Sequence, residues 1–171
     1  HGLDSYGIDV FKNGIDYGKN ILGIQNLKNI SVEKYCEENT GQFDFIFLIG
    51  TLEHLRDPVN ILKKCHRLLT SDGTLIVTTV HTEGLLGRCN YKPPEHLFYF
   101  TRKSLELFYK QAGFKKPFSY ATYFKFYKIS EFLRLAAPLL PFNIDWFSNW
   151  RVWRHLKLLV PTNEVIIKVL K

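Results

Sequence analysis

Hydrophobic positions along this chain switch between two periods, and the switches mark its elements. Phe43–Ile49 (FDFIFLI) is an apolar run with the length and aromatic content of a buried strand. Asp57 then stands as N-cap, with Pro58 at the first helical position, where a missing N–H costs nothing. Ile61, Leu62, Cys65, Leu68 and Leu69 recur at helical spacing and predict a helix with one face on a sheet. Ser71-Asp72-Gly73 predicts a turn into a second buried strand, Thr74–Val80. The unit reads as a β-α-β crossover of a parallel sheet. Glu53-His54 fall just past the carboxyl end of its first strand, where open α/β sheets bind ligands.

The flanks are plainer. Ser5–Val10 reads as a short strand ending at an acid, and Asn13–Gly23 as a helix with Gly23 as its stop. Asn26–Val32 predicts a strand and Glu33–Asn39 a short helix. His81–His96 is a long connection rich in glycine and proline, of the kind that carries function. Thr101 can cap a helix running to Ala112, closed by Gly113. Phe114–Tyr123 and Asn163–Leu170 predict the last two strands.

Composition sharpens this picture at three points. With 171 residues and 46% hydrophobic positions, the chain fits one domain with a sizeable core and excludes general disorder. No apolar run reaches the roughly 18 residues of a spanning helix; Ile129–Phe147 is broken by Arg134, Pro138, Pro141 and Asp145. Cys36, Cys65 and Cys89 follow no metal or redox spacing and predict reduced thiols, hence a cytoplasmic protein. Residues 115–160 hold eight Lys or Arg against two acids, which is +6 of the net +7. Trp146, Trp150 and Trp153 lie there too. A basic aromatic helical cap over the sheet is the expectation, with peripheral contact at a membrane surface as the rival reading and nucleic acid a distant third.

Two motifs in order carry a family resemblance. The segment Phe43–Val80 resembles the pattern FDxIxxxxxxEHLxDPxxxLxxxxxLLxxxGxLxIxTP, and Pro93-Pro94-Glu95-His96-Leu97-Phe98-Tyr99-Phe100-Thr101, with Ser104-Leu105 and Ala112-Gly113-Phe114, resembles PPxHLxxFTxxSLxxLxxxAGF. With Tyr6-Gly7-Ile8-Asp9 near the start, the chain resembles class I S-adenosylmethionine-dependent methyltransferases. The resemblance implies an α/β Rossmann-like fold: a mostly parallel sheet with helices on both faces and an antiparallel last strand. It implies S-adenosylmethionine as cofactor and a small-molecule acceptor, with a hydroxyl as the default. The family's first strand and glycine-rich loop have no counterpart among the 171 residues. The spacing of Asp9 puts that loop about 10–15 residues upstream of His1, which would leave a gap beside the second strand. A chain so truncated is expected to be inactive alone. A non-catalytic binding module on the same scaffold is the other reading.

The same resemblance distributes roles. Asp9 would accept hydrogen bonds from both ribose hydroxyls of the cofactor, with Val10 bordering ribose and adenine. Ser31 and Val32 occupy the positions that flank the adenine, although many relatives carry an acid where Ser31 stands. Ile49 and Gly50 would border the methionine portion, with His54 close by. Some relatives bind a divalent metal through Glu53-His54 and an acid at the Gly50 position. That acid is missing here, so no metal is expected. His96, in the loop facing the transferred methyl group, would be the catalytic base for a hydroxyl acceptor. His81, Tyr91 and Tyr99 are weaker candidates.

Overall fold

The structure, a computed structural model, describes residues 2–39, 43–83, 93–131 and 156–171. Among the described residues, six strands and four α-helices follow in the order β1 (Gly7–Asp9), α1 (Lys12–Asn20), β2 (Leu27–Asn29), α2 (Val32–Glu38), β3 (Phe43–Ile49), α3 (Pro58–Leu68), β4 (Leu69–Val80), α4 (Arg102–Gln111), β5 (Lys115–Lys128) and β6 (Lys157–Leu170). A short 3-10 turn, Leu52–His54, follows β3. Among the described residues the strands form two sheets. β1 and β2 pair in parallel by themselves, while β3, β4, β6 and β5 lie side by side in that order. β3 and β4 are parallel, and β6 runs antiparallel to both of its neighbours, as the family topology implies.

Local chemistry explains most boundaries. The Asp57 carboxylate accepts from the Asn60 N–H and Pro58 opens α3 as expected. Thr101 and Ser104 form a reciprocal capping box at the start of α4. Gly113, at φ +95°, supplies the left-handed residue after that helix, where a side chain would be strained.

Three expectations change. Ser71-Asp72-Gly73 does not separate helix from strand: β4 already begins at Leu69. Its register jumps from Phe43 opposite Leu69 to Phe45 opposite Thr74, so the intervening residues bulge from the ladder. A Cβ on Gly73 would come within 3.0 Å of the Phe43 carbonyl oxygen, so only glycine lets the chain pass there. The strand predicted through Val32 ends at Asn29, because the Ser31 hydroxyl accepts from the Lys34 N–H and starts α2 instead. Of the helical cap expected within 115–160, residues 132–155 lie outside the described residues; the described ends are extended strand that runs longer than predicted, as β5 and β6, with one helical turn at residues 129–131. The three tryptophans lie outside the described residues.

The core sits on one face of the four-stranded sheet. Leu75, Val77, Val165, Ile167 and Val169 point the same way and are at most 1% exposed, packed with Leu62 and Cys65 of α3 and Leu105 and Tyr109 of α4. The alternate residues of β3 face outward: Phe45, Phe47 and Ile49 are 59%, 58% and 63% exposed. The strand expected to be buried is therefore buried on one face only. α2 joins the smaller sheet to the larger through α3: Lys64 pairs with Glu37 at 3.0 Å.

Candidate active site

The end of β3 is shaped by Gly50, whose φ of +54° turns the chain out of the sheet. Its N–H donates to the Thr78 carbonyl at 3.0 Å, so the turn stays anchored to β4. The 3-10 turn that follows drives Leu52 and Leu55 into the core and splits its two polar residues. Glu53 goes inward and is 3% exposed; His54 stays at the surface.

A buried carboxylate needs partners, and Glu53 has them. Its Oε2 accepts from the Thr79 hydroxyl at 2.7 Å. Its backbone carbonyl accepts from the N–H groups of Leu97 and Phe98 at 2.9 and 3.2 Å. One residue thus ties β4 to the loop carrying His96. His54 closes the same junction from outside, with Nδ1 2.7 Å from the Glu95 carbonyl. A carbonyl only accepts, so Nδ1 carries a proton and donates to it.

His96 completes the cluster. It is buried, its ring lies 5.0 Å from that of His54 at 67°, and Tyr99 flanks it at 6.1 Å. One donor atom from each of Glu53, His54 and His96 lies within 4.8 Å of the others. His81, at the end of β4, is buried too. Burial pushes its imidazole below its usual range, with the Glu83 carboxylate partly opposing. Its ring meets Tyr120 edge to face at 6.0 Å, and burial followed by Glu83 pushes the Tyr120 phenol up to about 12.

The second cluster of predicted residues belongs to the smaller sheet. Asp9 ends β1 with its carboxylate exposed; Oδ1 accepts from the Phe11 N–H at 2.8 Å. A carboxylate offers about four acceptor positions, so that bond leaves capacity for ligand hydroxyls. The Asn29 amide donates to the carbonyls of Asp9 and Val10 and holds the strand end in shape. Val10 is exposed, Ser31 caps α2, and Val32 packs at the edge of the core.

A family profile described as a methyltransferase domain matches residues 1–116. The chain belongs to that family. A ubiquinone biosynthesis O-methyltransferase of Pseudomonas paraeruginosa is 32% identical over 79 residues, which are 40% of this chain and 34% of that protein. The protein of the same name from Acinetobacter baumannii is 28% identical over 102 residues, 57% of this chain and 39% of its own length. The matched stretches therefore span between a third and two fifths of these relatives. Among solved structures, a SAM-dependent methyltransferase from Archaeoglobus fulgidus superposes with a TM-score of 0.69 at 16% identity, covering 99% of this chain and 77% of that one. The Rossmann-like α/β fold expected from the motifs is thus the observed one.

Within this methyltransferase domain, His54, His96 and Gly50 come together at the end of β3, while Asp9 and Val10 lie at the end of β1, and Ser31 and Val32 follow β2 at the start of α2. Ile49 lies beside the first group, on the exposed face of β3. Tyr91 lies outside the described residues. Two partners escaped sequence reasoning: Thr79, which holds Glu53, and the Glu95 carbonyl, which holds His54. The Thr79 hydroxyl at the end of an apolar strand was a usable signal; a backbone carbonyl leaves none.

Proposed function

We propose that the protein carrying this domain transfers a methyl group from S-adenosylmethionine to a hydroxyl of a small molecule, with residues 1–171 forming a single methyltransferase domain. The observation that carries the reading is the convergence of His96 on the Glu53-His54 turn, at the carboxyl end of a strand of an α/β sheet. The names of the matched relatives, O-methyltransferases acting in ubiquinone biosynthesis, support a hydroxyl acceptor.

Methyl transfer from a sulfonium is an in-line displacement, for which alignment and exclusion of water supply much of the rate. Asp9 accepts from the ribose hydroxyls, with Val10, Ser31 and Val32 around the adenosine. Ile49, Gly50 and His54 border the methionine portion. His96 serves the acceptor, whose hydroxyl must shed a proton as the methyl arrives. The test is turnover with a panel of phenolic and aliphatic hydroxyl acceptors, with S-adenosylhomocysteine binding measured in parallel. His96→Ala is expected to lower turnover with nearly unchanged cofactor affinity. Collapse of cofactor binding in a folded variant would remove His96 from the acceptor side. Tight cofactor binding without turnover on any acceptor would favour a binding module.

A second reading concerns the paired ends of β5 and β6 around Lys128 and Lys157. Phe126, Leu158 and Leu159 are exposed there beside Lys128 and Lys157, an apolar and cationic pairing suited to the surface of an anionic membrane facing the cytoplasm. Flotation with anionic liposomes at low and high salt tests it. Binding that salt weakens, and that disappears when Trp146, Trp150 and Trp153 are replaced, would support it. No flotation would retire it.

A further inference from the structure

We propose that Cys36 and Cys65 form a thiol–disulfide exchange site, at which a small disulfide bearing carboxylates is reduced and the two cysteines are joined. The site lies where α2 and α3 meet the start of β4, at the end of that strand opposite to Thr79 and His81. The two cysteines stand 29 residues apart, so no redox motif marks them along the chain. The fold brings them together. Glu37 of α2 pairs with Lys64 of α3 at 3.0 Å, which joins the residue after one cysteine to the residue before the other. Both thiols are free and buried.

Cys36 borders an open-sided cavity of about 890 Å3, whose wall also carries Lys64, Arg67 and Lys171. Small-molecule sites run to roughly 300–1,000 Å3. Three cations there face one acid, Glu37, and that carboxylate is engaged by Lys64. Lys171 Nζ donates to the Leu69 carbonyl at 2.6 Å, a bond that fixes the ammonium in the wall without neutralising it. Thr70 and Ser71 donate to Asp44 and Asp72, neither of which lines the cavity. A concave surface of this charge raises the local concentration of anions.

The thiolate, not the thiol, attacks a disulfide, and nearby cations favour it. The neighbouring Cys65 thiol does most to lower the pKa of Cys36, and Lys64 and Arg67 add to this against burial and Glu33. Cys65 moves the other way: the Cys36 thiol and then burial hold it well above its usual range. The thiol at the cavity is thus the more acidic of the two, and the enclosed one stays protonated until it is needed. In the first step the Cys36 thiolate attacks one sulfur of the small disulfide. A mixed disulfide forms, and the departing small thiolate takes up the proton that Cys36 gave. Cys65 then attacks the Cys36 sulfur and its proton leaves with the second small thiol. Two protein thiols are oxidised, one disulfide is reduced to two thiols, and no other reactant enters. The new bond clasps α2, and with it the smaller sheet, to α3. The inference is independent of methyl transfer.

The experiment uses the 171-residue chain carrying Cys89→Ser, so that only these two thiols remain, with glutathione disulfide as the probe. Intact mass after an acid quench is expected to show the loss of two hydrogens, and peptide mapping to place the bond between residues 36 and 65. Cys65→Ala is expected to stop at a glutathione adduct on Cys36, and Cys36→Ala to give neither product. Arg67 is exposed, so Arg67→Gln keeps the fold, with circular dichroism as the check. It should slow the reaction with glutathione disulfide at least about threefold more than the reaction with uncharged hydroxyethyl disulfide. An unreacted folded chain, or an adduct on Cys36 that Cys65 fails to resolve, would overturn the proposal. Equal slowing with the two disulfides would remove the cationic cavity from it and overturn the choice of an anionic substrate.

Discussion

The two halves of the candidate site are built to different standards. The Glu53–His54–His96 half rests on the four-stranded sheet, where a helix pair covers one face and every polar group of Glu53 that links elements has a partner within 3.2 Å. The Asp9–Ser31 half rests on two strands of three residues each, with an exposed carboxylate, a hydroxyl spent on capping α2 and one asparagine amide holding the strand end. α1 packs on it at a glycine: a Cβ on Gly18 would crowd the Leu27 side chain of β2 and make it shift. A two-stranded sheet is marginal on its own. The acceptor side is thus preorganised by the core, and the cofactor side draws its order from α2 resting on α3.

That contrast can be broken by mutation. Leu75→Ala or Ile167→Ala, at fully buried positions, is expected to cost about 2–5 kcal/mol in urea denaturation. Ile8→Ala in β1, a half-buried position, should cost well under half as much. Equal losses would mean that the two sheets fold as one unit. Thr79→Val keeps the shape but strips the buried Glu53 carboxylate of a donor; a loss of about 1–3 kcal/mol follows. Protection of the amides of Leu97 and Phe98 from hydrogen exchange should fall with it.

Asp9→Ala sharpens the comparison from the other side. Two charge-assisted hydrogen bonds to the ribose, each about 1.5–3 kcal/mol, predict S-adenosylhomocysteine binding weakened at least about tenfold. Stability should move by no more than about 1 kcal/mol, since the carboxylate is exposed and its bond to the Phe11 N–H is local. Unchanged affinity would take Asp9 out of the site.

The smallest effect is in pH. Burial lowers the pKa of His66 first, with Lys171 and Lys115 adding to it, and burial lowers that of His81 against Glu83. A histidine whose folded pKa is depressed binds its proton more readily when unfolded. Its contribution is therefore fully present above the unfolded pKa of about 6.5 and is lost as pH falls through that value toward the folded one. Denaturation midpoints should drop between pH 7.5 and pH 5.5, and His66→Gln should flatten part of the drop. Both histidines belong to the larger sheet and its helices, so a probe in α1 should report the change only through global unfolding.

Elements whose signals are local were legible in the residues alone. The caps at Asp57 and Thr101, the strand Phe43–Ile49 before α3 and the antiparallel direction of the final strand appear as the pattern and the family motifs put them. Helix caps and apolar runs act over a few residues, so their chemistry is written in order along the chain. Asp9 at the end of β1 was legible for the same reason. What lay beyond sequence was everything set by contact between distant segments. The bulge at Gly73 depends on the Phe43 carbonyl, and the exposed face of β3 on which elements happen to cover it. The bonds to Glu53 come from residues 79, 97 and 98. His96 stands 42 residues beyond His54 and reaches it only because the 3-10 turn buries Glu53 and pins the loop against it. Proximity across such a span is a property of the packed fold, decided by which buried polar groups must find partners.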